Sequence, residues 1–241
     1  MKSYKARGIV LNTLKYGESS MVAHLLTDVG GRRSYMVQGI RSSRGHGSKS
    51  ALFQPMFAVE FEGLESPRME MHRFREVHSG IVLQTLPFDI RKTTIALFMA
   101  EVLYRLVKES EPNPDLFDFA WGSVEALDDA KEGVANFHLW FLANLSRFLG
   151  FCPGNEYTHG ALFDMREGLF TTVPPLHSAV MSADNAMILR DLLECDVKCL
   201  GEIGLNRRQR VDFLDAMLAY YGYHLDAIHT VRSIKILQEV F

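Results

Sequence analysis

The spacing of apolar residues changes once along this chain, and that change is the strongest constraint on its fold. Through the first eighty residues apolar and polar side chains alternate, as they do in half-buried β-strands. From Pro87 onward apolar residues recur every three or four positions, as Ile95, Met99 and Val102 do, and this spacing is typical of a helix with one buried face. The sequence therefore predicts a strand-rich first part and a mainly helical second part.

Five segments of the first part are predicted to be short antiparallel strands. They are separated by turn signals such as Gly30-Gly31 and Ser66-Pro67. Five strands with one long loop fit a small closed barrel of the oligonucleotide-binding type, because closure removes exposed strand edges. The predicted strands are 5–14, 20–27, 32–38, 55–62 and 69–75.

The second part is predicted to be a helical domain with a small β-hairpin insertion, which makes the fold class α+β. Arg166-Glu167-Gly168 is the expected hairpin turn, between Leu162 and Val173. We expect one domain over 1–80 and another over 81–241, in which the region around 152–178 holds the hairpin. The predicted helices are one of about four turns that Pro112 and Pro114 end, then 115–127, one through Phe137 to Phe148, 183–193 and 206–221.

Positive charge is concentrated at the amino-terminal end. Residues 1–50 contain nine Lys or Arg against Glu18 and Asp28, although the whole chain has a formal net charge of -3. Residues 81–241 carry the compensating negative excess. Because a mildly acidic protein usually mixes its signs, this gradient indicates a polyanionic partner of the first part, and nucleic acid is the first candidate.

One stretch between the predicted strands is basic and without apolar side chains. It runs from Arg41 to Lys49 and contains Arg44, with Ser, Gly and His between the cations. Such a segment cannot pack into a core, so it is predicted to be a mobile loop that can follow a phosphate backbone. The alternative is a solvated connection whose charge is incidental, since Lys and Arg favour loops.

Composition places further bounds on the class of protein. Three cysteines cannot all pair, which favours a reducing compartment over a disulfide-stapled secreted fold. Neither an apolar run long enough to span a membrane nor a secretion signal is visible in the sequence. We therefore expect a cytoplasmic protein without membrane contact.

Six short motifs follow one another along the chain, and each is weak alone. They are Gly17-Glu18-Ser19-Ser20, Leu26-Thr27 with Gly30-Gly31, Val37-Gln38-Gly39-Ile40-Arg41, Leu52-Phe53-Gln54-Pro55, Ala100-Glu101-Val102-Leu103, and Phe148-Leu149-Gly150-Phe151 before Pro153. In this order and spacing they resemble the RecO-type DNA repair and recombination-mediator family of bacteria. The resemblance extends through the whole chain.

This resemblance implies a non-enzymatic activity on DNA. It implies binding of single- and double-stranded DNA, annealing of complementary strands, and help in loading recombinase onto DNA covered by single-strand-binding protein. It also implies two protein partners, a RecR-like protein and the C-terminal tail of single-strand-binding protein. The implied fold, an oligonucleotide-binding barrel followed by a helical domain, agrees with the periodicity.

The chain departs from the family pattern in two places. Gln38 stands where the family often has Lys, which removes one candidate phosphate contact. Many members carry a four-cysteine zinc site, whereas the stretch from Cys152 to His177 has a single cysteine here. Cys195 and Cys199 could share one helix face, but no second pair lies nearby, so burial as small apolar groups is favoured. We expect neither a metal nor a cofactor.

The candidate DNA-contacting residues are basic and aromatic side chains of the first part. Cations would neutralise phosphates, and an aromatic ring that stacks on a base is worth about 1 to 3 kcal/mol. Tyr35 has a core position as its alternative, because strand alternation puts it on one face with Val37. Tyr16 and Phe53 are further candidate aromatics, and Phe53 has the same core alternative. Arg73 and Arg75 either extend the path or form the solvated face of the last strand. The predicted set is Arg7, Lys15, Arg32, Arg33, Tyr35, Arg41, Arg44 and Lys49.

The acidic second part is expected to recruit proteins. The tail of single-strand-binding protein is acidic with an apolar end in the family picture, so it would need an apolar groove rimmed by cations. Arg105, Lys108 and Arg147 are the candidates for that rim. Their alternative is a solvated charge on a helix face.

Two rival functions are considered beside DNA binding. An enzyme is disfavoured because the histidines and carboxylates form no recognisable catalytic motif, and neither a Walker loop nor a nucleophile elbow occurs. The second rival is an adaptor that acts through proteins alone. It is favoured by Gln38 and by the sequence pI of about 6.3. A strand-annealing assay separates it from a DNA-binding mediator.

Overall fold

The computed structural model of the protein describes residues 2–38, 49–65, 71–108, 111–154 and 156–241. Its first five strands form a closed barrel in the order β1-β2-β3-β5-β4. This is the predicted barrel of the oligonucleotide-binding type, and the α+β fold class is confirmed. The strands are β1 Lys2–Tyr16, β2 Ser20–Thr27, β3 Gly31–Gln38, β4 Ala58–Glu65 and β5 His72–Ser79.

One strand pair of the barrel is parallel, which corrects the prediction of five antiparallel strands. A ring with an odd number of strands cannot alternate its direction all the way round, so two neighbours must run the same way. Here β3 and β5 do so, through only two residue pairs, Tyr35 with His72 and Met36 with Arg73. The other four pairings are antiparallel.

The barrel interior is a cluster of alternating inward-facing side chains. Tyr35 has no exposed surface, and its ring stacks on Phe74 with centroids 4.7 Å apart and meets Phe61 edge-on at 5.0 Å. Val10 and Leu25 from β1 and β2 complete the centre of the cluster. Each fully buried large side chain of this kind contributes about 1.5 to 3 kcal/mol, so this core is the main stabilising element of the barrel.

Two helices belong to the same compact unit as the barrel, which extends from Met1 to Asp128. They are α1, Ile90–Leu106, and α2, Pro114–Asp129. Helix α1 begins at Asp89, whose side chain accepts a hydrogen bond from the backbone N–H of Arg91 and so caps the first turn. The first compact unit continues to Asp128 and so includes both the barrel and these two helices. A domain boundary at residue 80 stays a prediction.

Asp128 fixes the segment that connects the barrel to α1. Its carboxylate accepts three backbone N–H groups, from Gln84 at 2.8 Å, Thr85 at 2.8 Å and Leu86 at 2.7 Å. The ammonium group of Lys92 donates to the Asp128 carbonyl oxygen at 2.6 Å. Burial alone would raise the pKa of Asp128, but the backbone hydrogen bonds outweigh it and hold the pKa below its ordinary value.

The second compact unit runs from Asp129 to Phe241. Its core is built around Tyr220 and Tyr221, which are fully buried and donate their hydroxyls to the carbonyl oxygens of Phe151 at 2.5 Å and Leu142 at 2.7 Å. Burial raises the pKa of both tyrosines, so they remain neutral donors. The elements are α3 Phe137–Leu145, β6 Leu162–Asp164, β7 Leu169–Thr171, β8 Val180–Met181, α4 Ala183–Glu194, α5 Arg207–His224 and α6 Ile234–Val240.

The predicted hairpin is present but has a third strand. Strands β6 and β7 pair around Gly168, whose φ of +69° favours glycine at the turn. Strand β8 pairs with the other edge of β6, which gives the sheet order β7-β6-β8. The predictions missed β8 and α6, since a strand of two residues and a helix of seven are too short to show a periodic pattern.

The Asp128 contacts predict a specific loss of stability. We expect Asp128→Asn to lower the free energy of unfolding by about 1 to 3 kcal/mol at neutral pH, because the amide presents N–H groups to backbone donors. Since the folded pKa is depressed, this contribution is present above the unfolded pKa and is lost as the pH falls through the folded pKa. Urea denaturation of the full chain at neutral and acidic pH measures both effects.

The neighbouring Asp129→Asn is the control for that experiment. Asp129 is exposed and belongs to the same helix, so its substitution should change the free energy of unfolding by less than about 0.5 kcal/mol. Equal losses in the two variants would contradict the structural role of Asp128.

Candidate nucleic-acid interface

The strand register places the predicted DNA-contacting residues at two different ends of the barrel. At one end, Tyr16 pairs with Ser20 and Ser20 pairs with Gln38. We call this the loop end, because the segment with Arg41 and Arg44 follows Gln38. These two arginines lie outside the described residues, as does the side chain of Lys49.

The opposite end of the barrel is marked by Thr27, which pairs with both Gly8 and Gly31. We call it the helix end, because its side chains contact α1 and α2. Arg32 lies one pairing row inside it, and Val37, near the loop end, is five positions further along β3. At about 3.4 Å per residue the two rows lie roughly 17 Å apart. The predicted basic set is therefore not one patch.

Arg7 connects β1 to α2 at the helix end. Its guanidinium lies 3.3 Å from the Asp28 carboxylate and 3.5 Å from that of Asp118. The same group sits over the rings of Phe117 and Trp121, with centroid distances of 5.1 and 5.3 Å. The charge and the flat faces of the guanidinium are thus engaged by other residues of the same unit. Arg7 is therefore a structural residue of this unit.

Arg32 is held by α1. Its guanidinium donates to the Tyr104 backbone carbonyl oxygen at 2.5 Å and lies 5.1 Å from the centre of the Tyr104 ring. The neighbouring His24 is also packed here, 5.2 Å from the same ring. Burial, helped by the positive charge of Arg32, lowers the pKa of His24, so this histidine is neutral at physiological pH.

Arg33 closes the barrel interior from the helix end. It donates to the Gly30 carbonyl oxygen at 3.2 Å and lies 6.0 Å from the ring of Tyr4. A Cβ on residue 30 would stand 1.9 Å from the Arg33 side chain, so the guanidinium keeps this position only while residue 30 is a glycine. Arg33 is half-buried and lies two residues from Tyr35, on the same face of β3.

Tyr35 is a correction to the predicted set. Its ring is fully buried, and its hydroxyl lies 3.0 Å from that of Tyr4. Burial and this hydrogen bond raise its pKa far above the ordinary value. A ring without exposed surface cannot stack on a base, so the core alternative holds for Tyr35. Phe53, 3% exposed, belongs to the same core cluster.

The loop end presents exposed basic and aromatic groups. Lys15 is exposed, and the next residue, Tyr16, keeps 59% of its surface accessible. Met36 pairs with Arg73, an exposed cation at the start of β5, so Arg73 lies toward the same end. Arg75 is exposed as well, although it pairs with Glu62 at 2.9 Å. Among the described residues, this end combines a free-standing aromatic ring with cations.

A groove opens where β3 and β5 separate beyond their two residue pairs. This β3–β5 groove has a volume of about 500 Å³, and Met36, Gln38, Arg73, Arg75 and Glu76 are among its lining residues. Two cations against one carboxylate give it a positive balance.

A second groove on the barrel has the opposite balance. This β1–β4 groove, with a volume of about 370 Å³, is lined by Lys5 and Arg7 but also by four carboxylates. Those carboxylates belong to Asp28, Glu60, Glu62 and Glu76. Their repulsion of phosphate makes this groove a poor path for DNA and leaves the loop end as the candidate interface.

The predicted partner-binding cations do not fall in one unit. Arg105 and Lys108 belong to the first unit, where Arg105 lies 3.7 Å from Glu101 and Lys108 is exposed. Arg147 belongs to the second unit and donates to the Leu193 carbonyl oxygen at 2.9 Å. Lys108 is thus the member of the set whose charge is most available to a partner.

The cysteines do not gather into a metal centre in the part of the chain that the structure describes. Cys152 and Cys199 are exposed and Cys195 is half-buried, so the burial predicted for Cys195 and Cys199 is wrong for Cys199. His177 lies 3.2 Å from the Asp164 carboxylate. Across the described ranges, no three His, Cys, Asp or Glu side chains are grouped to hold a metal ion, and no helix is long and apolar enough to cross a membrane.

Sequence reasoning missed the residues that engage the arginines of the helix end. Phe117 and Trp121 are one helical turn apart, and this spacing signals an aromatic face on α2. It does not reveal which cation that face would cover. The contacts of Asp118 and Tyr104 had no signal in the sequence.

The closed barrel followed by a helical unit has the architecture of proteins built on an oligonucleotide-binding domain. The family model described as Recombination protein O N terminal matches residues 1–81, and the one described as Recombination protein O C terminal matches residues 87–232. The chain therefore belongs to the recombination protein O family, as the sequence motifs predicted.

Curated relatives cover nearly the full length of the chain. The DNA repair protein RecO of Bacteroides fragilis is 38% identical over 239 residues, 98% of each chain. The proteins of the same name from Phocaeicola vulgatus and Flavobacterium psychrophilum are 36% and 31% identical over 238 residues, again 98% of each chain. These identities extend over both compact units.

The geometry of the helix end predicts that Arg7 stabilises the fold. We expect Arg7→Ala to lower the free energy of unfolding by about 1 to 2 kcal/mol, because it removes two partly exposed ion pairs and the contact with two aromatic rings. Urea denaturation of the full chain measures the loss. Lys5→Ala is the matched control, since Lys5 is an exposed cation two residues earlier on the same strand. A loss for Lys5→Ala as large as that for Arg7→Ala would contradict the assignment.

Proposed function

We propose that this protein acts in DNA repair and recombination as a non-enzymatic mediator. In this role it binds single- and double-stranded DNA, anneals complementary strands and assists the loading of recombinase onto DNA coated with single-strand-binding protein. Its site of action is the DNA of the bacterial nucleoid, in the cytoplasm. The observation that carries the proposal is membership of the recombination protein O family over both units.

The loop end supports DNA binding by its chemistry. Lys15, Arg73 and Arg75 supply charge for phosphates, and the exposed ring of Tyr16 supplies a face on which a base can stack. Arg41, Arg44 and Lys49 extend this charge along the sequence. Contacts to phosphate carry no base preference, so such a surface accepts any DNA sequence.

Annealing follows from charge neutralisation without a chemical step. Two complementary strands repel each other through their phosphates, and cations that contact both strands lower this repulsion so that base pairing can proceed. Arg7, Arg32 and Arg33 contribute less to this process, because their guanidinium groups are engaged within the first unit.

The protein partners are proposed from the same family membership. A RecR-like protein and the acidic tail of single-strand-binding protein come with the family resemblance. Lys108 is the best placed cation for the tail, with Arg105 of α1 near it in sequence and Arg147 as a separate candidate in the second unit.

The second candidate function is an adaptor that works through proteins alone. It is favoured by the acidic β1–β4 groove and by the arginines whose charge is engaged within the protein. An annealing assay at low and moderate salt distinguishes the two, since an adaptor would leave the rate of duplex formation unchanged.

The proposed interface predicts a change in the salt dependence of DNA binding. Each phosphate contact contributes about 0.7 to the slope of log affinity against log salt for single strands. We therefore expect Lys15→Gln with Arg73→Gln to make the slope shallower by about 1.4, measured by fluorescence anisotropy of a labelled oligonucleotide. Lys131→Gln with Lys235→Gln is the control, because it removes the same charge from exposed positions of the second unit. Equal slopes for the two double variants would refute the loop end as the phosphate path.

A base-stacking role for Tyr16 is tested separately. We expect Tyr16→Ala to reduce the affinity for a single-stranded oligonucleotide by about 1 to 3 kcal/mol. Leu14→Ala is the matched control, since Leu14 is 51% exposed and lies two residues earlier on the same face of β1. The anisotropy titration should show little change for Leu14→Ala. A similar loss in both variants would indicate that the strand end, and not the aromatic ring, determines affinity.

A further inference from the structure

A groove in the second unit has no role in the proposed DNA binding. It has a volume of about 610 Å³ and lies between the end of α4, the 3₁₀ segment Val197–Glu202 and the start of α5. We call it the α4 groove. Its apolar lining comes from Ile188, which is buried, from Ile203 and Leu205, which are half-buried, and from Met187, which is 38% exposed.

The rim of the α4 groove is strongly acidic. Asp191, Glu194, Asp196 and Glu202 line it, against Arg190 as the one cation among its lining residues. The guanidinium of Arg190 is already committed, at 2.7 Å from Asp191 and 4.9 Å from the centre of the Tyr157 ring. Glu194, Asp196 and Glu202 are exposed, and although Arg190 also lies 3.9 Å from Glu194, the rim keeps a net negative charge.

The acidic rim also opposes the dipole of α4. The last turn of a helix has a partial negative charge and is stabilised by cations, yet α4 has no basic residue in its last turn and ends at Glu194. Arg147 donates to the Leu193 carbonyl oxygen, but it does not line the groove. An arrangement that costs stability locally is expected where the charge serves a partner.

The Cys195 thiol in the groove is a neutral, weakly polar group. Burial raises the pKa of Cys195, and its neighbours Cys199 and Glu202 act in the same direction. A thiol held in its protonated form is a poor metal ligand and a poor nucleophile. The groove is therefore an apolar surface with negative edges.

We propose that the α4 groove docks a basic segment of a protein partner, in which Lys or Arg residues flank an apolar side chain. The apolar side chain would lie on Ile188, Ile203 and Leu205, and the cations would meet Glu194, Asp196 and Glu202. The same charge excludes DNA and an acidic tail from this groove. The inference is independent of the DNA-binding proposal, because it uses residues of the second unit alone.

Peptide binding to the full-length chain tests this inference. The probes are fluorescein-labelled synthetic peptides in which Lys or Arg alternates with Leu or Phe. One comparison peptide replaces the cations with Glu, and another replaces the apolar residues with Ser. We expect the basic-apolar peptides to bind and both comparison peptides to bind far more weakly, as measured by fluorescence anisotropy.

Substitutions of the groove carboxylates and of Met187 test which side chains bind the peptide. We expect Glu194→Gln with Glu202→Gln to weaken binding by about fivefold, which is what two exposed charge contacts of roughly 0.5 kcal/mol each would give. Met187→Ser should weaken binding as well. Glu167→Gln with Glu239→Gln is the control, since it removes two exposed carboxylates elsewhere in the same unit and should leave binding unchanged.

Thiol protection locates the bound peptide. Cys199 is exposed within the groove, whereas Cys152 is exposed outside it. A bound peptide should slow maleimide labelling of Cys199 and leave the labelling of Cys152 unchanged. Equal effects on the two thiols, equal losses in the two carboxylate pairs, or the absence of binding by every basic-apolar peptide at millimolar concentration would each overturn the proposal.

Discussion

The odd number of strands in the barrel is the constraint on which the rest of the first unit depends. Five strands can close only if one neighbouring pair is parallel, and here that pair is held by two residue pairs. Beyond Met36 and Arg73 the strands β3 and β5 separate, and the groove between them follows from this brief contact. The exposed charge of β5 is thereby brought to the end of the barrel where Lys15 and Tyr16 lie.

The arginines of the first unit show how one residue type serves two purposes. Arg7 and Arg32 use the planar guanidinium to connect strands of the barrel to α2 and α1, through ring faces and acceptor oxygens. Lys15 and Arg73 stay exposed at the loop end. Positive charge near the amino terminus is thus partly structural, and the surplus available to a polyanion is smaller than the sequence count indicates.

Much of the fold could be predicted from the sequence, because periodicity and capping are local. Strand β2 has the predicted bounds, and α5 lies where a helix over 206–221 was predicted, with Asn206 and Gln209 forming a capping box at its start. The site was harder to predict, since the partners of Arg7 and Arg32 are distant in sequence and register decides which cations share an end. Alternation indicated that Tyr35 and Val37 share a face, but only the closed barrel shows that this face is the interior.

The contacts between the barrel and the first two helices affect how fragments of this chain would behave. A barrel cut at residue 80 would lack Asp118, Phe117 and Trp121 around Arg7, and Tyr104 beside Arg32. The Arg32 guanidinium would then face water, and of the contacts described for Arg7 the one with Asp28 would be left. Such a fragment would attract phosphate more strongly than the whole protein does, and affinities measured on it would overstate those of its parent.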